Sequence, residues 1–175
     1  MKIIGIGSNI AFEQHISCAE TISAASDLIQ SKGISVIGKS KLYRSAPVPR
    51  SDQSWFTNAA ILVETNLSPL SLLNLLLEIE KNFGRVRLKK WEARVLDLDL
   101  IAYDNIISSK TPILPHPRMH ERAFVLKPMS DLVSDWVHPK IKKNIGQMFK
   151  SIEIEQKIEP LMYKEYPVNW VPLLQ

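Results

Sequence analysis

Three observations on this 175-residue sequence predict an α+β fold: apolar stretches with the period of strands alternate with stretches of helical period, their order is strand, helix, strand, strand, helix, strand, and no internal repeat interrupts that order. This is the split βαββαβ arrangement of ferredoxin-like sandwiches, an antiparallel sheet with two helices on one face. The expected organisation is a single domain over residues 1–175, with a core at about 2–140 and a C-terminal helical extension at 141–175.

Each element has a local cause. Lys2 to Ile6 is a short apolar strand that runs into Gly7-Ser8-Asn9, small and polar residues suited to a tight exit. A helix is predicted over Ala11 to Gln30, with Ile16, Ala19, Ile22, Leu28 and Ile29 at helical spacing, Cys18 as a packing residue, and Gly33 as a left-handed stop. Ser35 to Tyr43 reads as the second strand, and the proline-bearing segment Ser45 to Asp52 as an ordered loop. Phe56 to Thr65 is the third strand. Ser68 caps a second helix with Pro69 at its first position, Leu72, Leu76, Ile79 and Phe83 form its buried stripe, and Gly84 ends it. Val95 to Tyr103 is the fourth strand. Beyond it the sequence predicts a hairpin near Asp104 to Leu114, a proline-rich turn, and helical pieces at Glu121 to Val133 and Ile141 to Ile152. The tail from Glu153 to Gln175, where prolines punctuate Trp170, is expected to pack on the domain.

Composition narrows the function classes. A 45% hydrophobic content with mixed charge excludes a disordered chain, and the single Cys18 excludes a disulfide framework, which suits a reducing, cytoplasmic setting. Neither a leader segment nor a run of membrane-spanning length is expected. The net charge of +4 suits an anionic ligand. The Arg/Lys-Gly-aromatic run of RNA-binding sheets is missing, so no nucleic-acid partner is expected. Gly5-Ile6-Gly7 lacks the third glycine of a dinucleotide fingerprint. The expected state is a monomer acting on small molecules.

The chemistry concentrates between Gly84 and Tyr103. Asp97 and Asp99 alternate with Leu96, Leu98 and Leu100, so both carboxylates lie on one strand face. Like charges so placed repel unless a cation sits between them, and a hard, oxygen-seeking ion such as Mg²⁺ answers that need. Arg85, Arg87 and Arg94 lie just upstream, in reach of the phosphates such an ion would carry. The combination points to a metal and a polyphosphate.

From Ile4 to about Pro139 the chain resembles the 6-hydroxymethyl-7,8-dihydropterin pyrophosphokinase family. The resemblance rests on Gly7-Ser8-Asn9, Tyr43-Arg44-Ser45-Ala46-Pro47, Asn58-Ala59-Ala60, Gly84-Arg85-Val86-Arg87, Trp91 with Arg94, Leu96-Asp97-Leu98-Asp99, Leu114-Pro115-His116-Pro117 and Arg122-Ala123-Phe124. Each is short; their order and spacing make them specific. The resemblance implies transfer of a pyrophosphoryl group from ATP to the pterin hydroxymethyl oxygen, with release of AMP. It implies two Mg²⁺ ions on Asp97 and Asp99, phosphate contacts from Arg85, Arg87, Arg94, His116 and Arg122, and catalytic roles for Arg85 and Arg94 beside the carboxylates.

For the pterin, Asn58 supplies both the donor and the acceptor that an amide-like heterocycle edge requires. Phe56 and Phe124 would stack on the ring, and backbone groups around Ser45, Ala46 and Val48 would complete the edge. Trp91, between Lys90 and Glu92, is expected to close over the substrate, and Arg85 to Arg94 to act as a lid whose cations repel one another until a polyphosphate arrives. The chain departs from the family pattern at Glu92-Ala93, where Gly-Pro is frequent, at Phe56, where Tyr is common, and at Leu77, where some members carry a polar side chain. A nucleotidyltransferase would share the Asp97–Asp99 pair but would leave Asn58, Phe56 and Phe124 unexplained.

Overall fold

An inner strand of the sheet carries the apolar pattern around which both cores form. In the computed structural model, which describes residues 1–12, 15–84, 94–152 and 156–173, β1 (Lys2–Ser8) pairs antiparallel with both β4 (Phe56–Glu64) and β5 (Asp97–Tyr103). Its side chains alternate between two cores: Ile4 and Ile6 face one, Ile3 the other. The sheet runs β5-β1-β4-β3-β6, with β3 at Tyr43–Ser45 and β6 at Ile158–Pro160, and β2 (Ser35–Lys39) also pairs with β4. All named pairings are antiparallel. The expected βαββαβ order is therefore present, with a sixth strand donated by the tail.

One expected strand is two. β2 and β3 lie along successive halves of β4, and the chain between them leaves the ladder at Ser40, whose buried hydroxyl accepts the Ala60 N–H at 2.9 Å. The backbone freed at this break finds other partners: the Lys41 N–H donates to Asp131 and the Leu42 N–H to the Tyr166 hydroxyl, while the buried Trp170 indole donates to the Ser40 carbonyl. Long-range partners of this kind leave no local pattern in the sequence.

The first core lies under α1 (Cys18–Ser31) and α2 (Pro69–Asn82) and is filled by Ile22, Ile29, Leu72, Leu76 and Ile79 against Ile61, Leu98 and Leu100. α2 begins as expected, with the Ser68 hydroxyl accepting the Ser71 N–H, Pro69 in the first turn, and Gly84 at φ +72° beyond its end. α1 starts later than expected. Ile16, assigned above to its apolar stripe, is 94% exposed and lies outside the helix, and Ser17 with Glu20 forms a reciprocal capping box that fixes the start at Cys18. The Ser-x-x-Glu signal was present in the sequence.

The opposite face of the sheet is covered too. There α3 (Ala123–Ser130) and α4 (Ile145–Lys150) bring Val125, Leu126, Met129, Ile145 and Met148 against Ile3, Ala60 and Ala102. A bulge at Ile101 lets β5 turn Ile101 and Ala102 into this second core. Both helices are shorter than the stretches expected above, which extended to Glu121 and Val133 and to Ile141 and Ile152. The bridge between Ser108 and Leu114 closes the expected hairpin. No helix among the described residues is long and apolar enough to cross a membrane.

The capping box gives a direct check of this reading of α1. Ser17→Ala should lower stability by about 1 kcal/mol, within the range of lost N-caps, in urea unfolding monitored by circular dichroism. No residue of α1 lines the cavity described below, so turnover at saturating substrate should not change.

Candidate active site

The sheet face beneath α3 has two halves because β1, β4 and β5 change character along their length. On β1, Ile3 fills the second core, whereas Gly5 and Gly7 on the same face present no side chain. Gly7 is registered against Asn58 on one side and Asp97 on the other, and Gly5 against Ala60 and Asp99. A hollow of about 210 Å³ opens over these glycines. A methyl group at Gly7 would lie 3.3 Å from the Asn58 Oδ1, and one at Gly5 3.3 Å from the Ile101 side chain, so glycine keeps the floor open at both positions.

Ten of the predicted site residues line this one hollow. Ser45, Ala46 and Val48 form the wall beyond β3, Phe56 and Asn58 come from β4, Asp97 and Asp99 from β5, Arg94 from the segment before it, and Arg122 and Phe124 from the start of α3. His116 does not line the hollow but lies close enough to Arg122 and Asp97 to feel both charges. Arg85, Arg87 and Trp91, and with them the expected lid up to Ala93, lie outside the described residues.

Charge is balanced locally. The Arg94 guanidinium donates to Asp97 at 2.6 Å, and Arg122 approaches Asp99 at 3.6 Å while lying over the Phe124 ring at 5.5 Å. Burial lowers the Arg122 pKa, offset by Asp99. Arg94 is held from behind: the Asn9 Oδ1 accepts its backbone N–H at 2.5 Å, and the Asn9 N–H donates to its carbonyl at 3.0 Å. Asn9 is itself buried, with its amide nitrogen donating to the Gln53 side chain at 3.2 Å. The Gly7-Ser8-Asn9 motif thus has two separate uses, an open floor and a clamp on Arg94. The sequence reading gave Asn9 no individual role.

β5 is an edge strand, yet its free side is occupied. The buried Glu80 on α2 accepts the N–H of Leu98, the residue between the two aspartates, at 2.8 Å. Further along, the His116 N–H donates to the Ile101 carbonyl at 2.8 Å, so the Leu114–Pro117 loop lies against the bulge. Glu80 is a positioning residue that helical periodicity could not reveal, because its partner is a strand backbone.

Asn58 is 5% exposed, and its Nδ2 donates to the Ser45 hydroxyl at 2.9 Å. A buried amide with hydrogen-bonding capacity directed into a hollow suits a flat heterocycle edge. The carboxylates suit a hard ion. Mg²⁺ is commonly held by one or two carboxylates with substrate phosphates and waters completing the shell, and Asp97 and Asp99 offer that donor set on a single strand face.

A family model described as 7,8-dihydro-6-hydroxymethylpterin-pyrophosphokinase (HPPK) matches residues 3–134. The chain belongs to this family. The 2-amino-4-hydroxy-6-hydroxymethyldihydropteridine pyrophosphokinase of Methylorubrum extorquens is 40% identical over 135 residues, covering 77% of this chain and 83% of that one. The folic acid synthesis protein fol1 of Pneumocystis carinii is 39% identical over 171 residues, covering 95% of this chain but only 22% of its own length, and so reaches into the tail. Among solved structures, wild-type Plasmodium falciparum HPPK-DHPS superposes with a TM-score of 0.66 at 13% identity, covering 86% of this chain and 40% of that one, which establishes a shared fold. The ferredoxin-like expectation is borne out.

His116 supplies a pH test of the site's electrostatics. Burial, reinforced by the Arg122 and Arg118 cations against the opposing charge of Asp97, brings its imidazole down to about 4. Its Nδ1 accepts the Arg118 N–H at 3.2 Å, so the neutral ring offers Nε2–H as a donor. An unfolded histidine titrates near about 6.5, so below that pH the unfolded chain holds a proton that the folded one refuses. This contribution to stability is complete above about pH 6.5 and is lost as the pH falls toward 4. Urea unfolding at pH 7 and pH 4.5 should show a smaller loss of stability for His116→Gln than for the wild type.

Proposed function

We propose that the hollow over Gly5 and Gly7 is where this chain joins its two substrates. The protein is a pyrophosphokinase of folate biosynthesis: it transfers the pyrophosphoryl group of ATP to 6-hydroxymethyl-7,8-dihydropterin. In that reaction the hydroxymethyl oxygen attacks the β-phosphorus, the bond from that phosphorus to the bridging oxygen of the α-phosphate breaks, AMP leaves with that oxygen, and the hydroxymethyl proton passes to solvent. The products are AMP and the pterin diphosphate. The observation that carries the site assignment is the register of β1, which sets an amide suited to the heterocycle and the first of two carboxylates suited to the phosphates on either side of Gly7, with the second carboxylate beside Gly5.

Asn58 reads the amide-like edge of the pterin, Phe56 and Phe124 hold its faces, and the Ser45–Val48 wall supplies backbone groups. Arg94 and Arg122 take phosphate oxygens through forked contacts that a lysine could not reproduce, and the neutral His116 donates to a third. Asp97 and Asp99 would hold two Mg²⁺ ions, which supply charge neutralisation to the transferring group. Arg85, Arg87 and Trp91 belong to the same assignment by their motif positions. Most of the catalysis is positioning and electrostatics, as phosphoryl transfer requires. Residues 1–175 are read as one domain, a reading supported by the shared sheet and by Trp170 buried within the first core; a cytoplasmic setting and a monomeric state are part of the same proposal.

Three experiments test this reading. Incubation with ATP, Mg²⁺ and 6-hydroxymethyl-7,8-dihydropterin should yield AMP; ADP as the nucleotide product would mean a different reaction. Asp97→Asn and Asp99→Asn should each abolish most turnover while leaving the thermal transition in place, because they remove charge from an ion site and no packing volume. Near-normal turnover of both at saturating Mg²⁺ would refute the metal assignment. Asn58→Ala should weaken pterin binding by roughly 1 to 3 kcal/mol in calorimetry and leave ATP binding alone, whereas Arg122→Ala should do the reverse.

A further inference from the structure

Two walls of the hollow come from distant parts of the chain, and the tail joins them, its backbone pairing beside one and the Gln156 side chain bonding the other. The first wall, Ser45 to Val48, continues β3, and β3 pairs with the tail strand β6 in the register Tyr43 with Pro160, Arg44 with Glu159 and Ser45 with Ile158. The pairing extends by one bond, from the Ala46 N–H to the Lys157 carbonyl at 3.2 Å. The second wall, Arg122 and Phe124, sits at the start of α3.

A helix start needs acceptors for its first N–H groups, and Arg122, at the cap position, has none to give because a guanidinium only donates. No side-chain cap is made from that position. The acceptor comes instead from Gln156, whose Oε1 takes the Ala123 N–H at 2.9 Å while its Nε2 donates to the Glu121 carbonyl at 2.7 Å. One partner is a donor and the other an acceptor, so the amide can sit in only one orientation.

The tail that carries Gln156 is itself fixed. The Leu161 N–H donates to the Leu42 carbonyl at 2.9 Å, the Tyr166 hydroxyl accepts the Leu42 N–H at 2.8 Å, and the 2%-exposed Trp170 donates to the Ser40 carbonyl at 2.9 Å. Gln156 therefore transmits the position of the β3–β6 edge to the turn bearing Arg122 and Phe124.

We propose that Gln156 is a positioning residue for the pterin: it ties the start of α3 to the tail strand on β3 and so sets the separation between the Phe124 wall and the Ser45–Val48 wall. The proposal rests on the pocket assignment made above. A tail that merely adds packing area would affect stability; a tail that spaces two walls affects one ligand selectively.

The experiment measures, for the full chain, the Kd of 6-hydroxymethylpterin in the presence of Mg²⁺ and α,β-methylene-ATP, the Kd of α,β-methylene-ATP with Mg²⁺ alone, and Tm. Gln156→Ala should raise the pterin Kd about tenfold, the scale of a lost helix cap, and the nucleotide Kd by no more than about twofold, because Arg122 is held by Asp99 as well as by the turn. Gln156→Glu keeps the acceptor for the Ala123 N–H but sets a second oxygen against the Glu121 carbonyl, so it should recover only part of the pterin affinity. Asn58→Ala is measured alongside as the pocket control. Wild-type pterin affinity in Gln156→Ala beside a weakened Asn58→Ala would overturn the role of the tail and leave the pocket standing. Wild-type affinity in both variants would overturn the pocket assignment, and this inference with it. Parallel loss of both ligands with a fallen Tm in Gln156→Ala would reduce Gln156 to a general stabilising contact and also overturn the proposal.

Discussion

The register of β1 between β4 and β5 is the constraint on which the site depends. Ile4 and Ile6 are buried under α1 and α2, so the strand cannot slip by one residue without turning both isoleucines into the hollow and both glycines into the core. Fixing the core therefore fixes which residues flank Gly7. With neighbouring strands about 4.8 Å apart, Asn58 and Asp97 stand about 10 Å from each other across a strand that offers no side chain between them. A flat heterocycle and the end of a polyphosphate chain can meet over that gap. The same hydrophobic alternation that makes the sheet fold brings together the residues proposed for the two substrates.

The carboxylate strand lies at the sheet edge, where side chains are ordinarily least constrained, and the fold compensates. Glu80 holds the backbone between Asp97 and Asp99 from the helical side, and His116 holds the bulge further along. Arg94 and Arg122 pair with the aspartates and carry the charge that a polyphosphate requires. Asn9 then fixes Arg94 through its backbone, leaving the guanidinium directed at Asp97. Position is imposed on the main chain and charge is left on the side chains, an arrangement suited to electrostatic catalysis.

Much of this was legible from residue patterns, because strand alternation reports which face a side chain takes. Asp97 and Asp99 on one face and the Leu96, Leu98, Leu100 series on the other follow from period two alone, and α2 from Ser68-Pro69 and its stripe. The start of α1 was misread because Ile16 fell at helical spacing while the Ser17–Glu20 box stood one residue later. The break at Ser40, the capping of α3 by Gln156 and the grip of Glu80 on β5 depend on partners far away in sequence, which periodicity cannot see. Gly5 and Gly7 were set aside as an incomplete dinucleotide fingerprint: they are a floor, and their meaning appears only when Asn58 and Asp97 are placed beside them.

The central claim, that one glycine-floored strand separates the pterin site from the metal and phosphate site, is a statement about distance. Substituting Mn²⁺ for Mg²⁺ in a complex with α,β-methylene-ATP and 6-hydroxymethylpterin makes that distance measurable, through paramagnetic relaxation of the pterin's hydroxymethyl protons. Two strand spacings place the nearest ion within about 10 Å of those protons, and relaxation of that strength is the expected result. Relaxation corresponding to more than about 15 Å, three strand spacings, would mean that the two ligands do not share the hollow over Gly7 and would contradict the account.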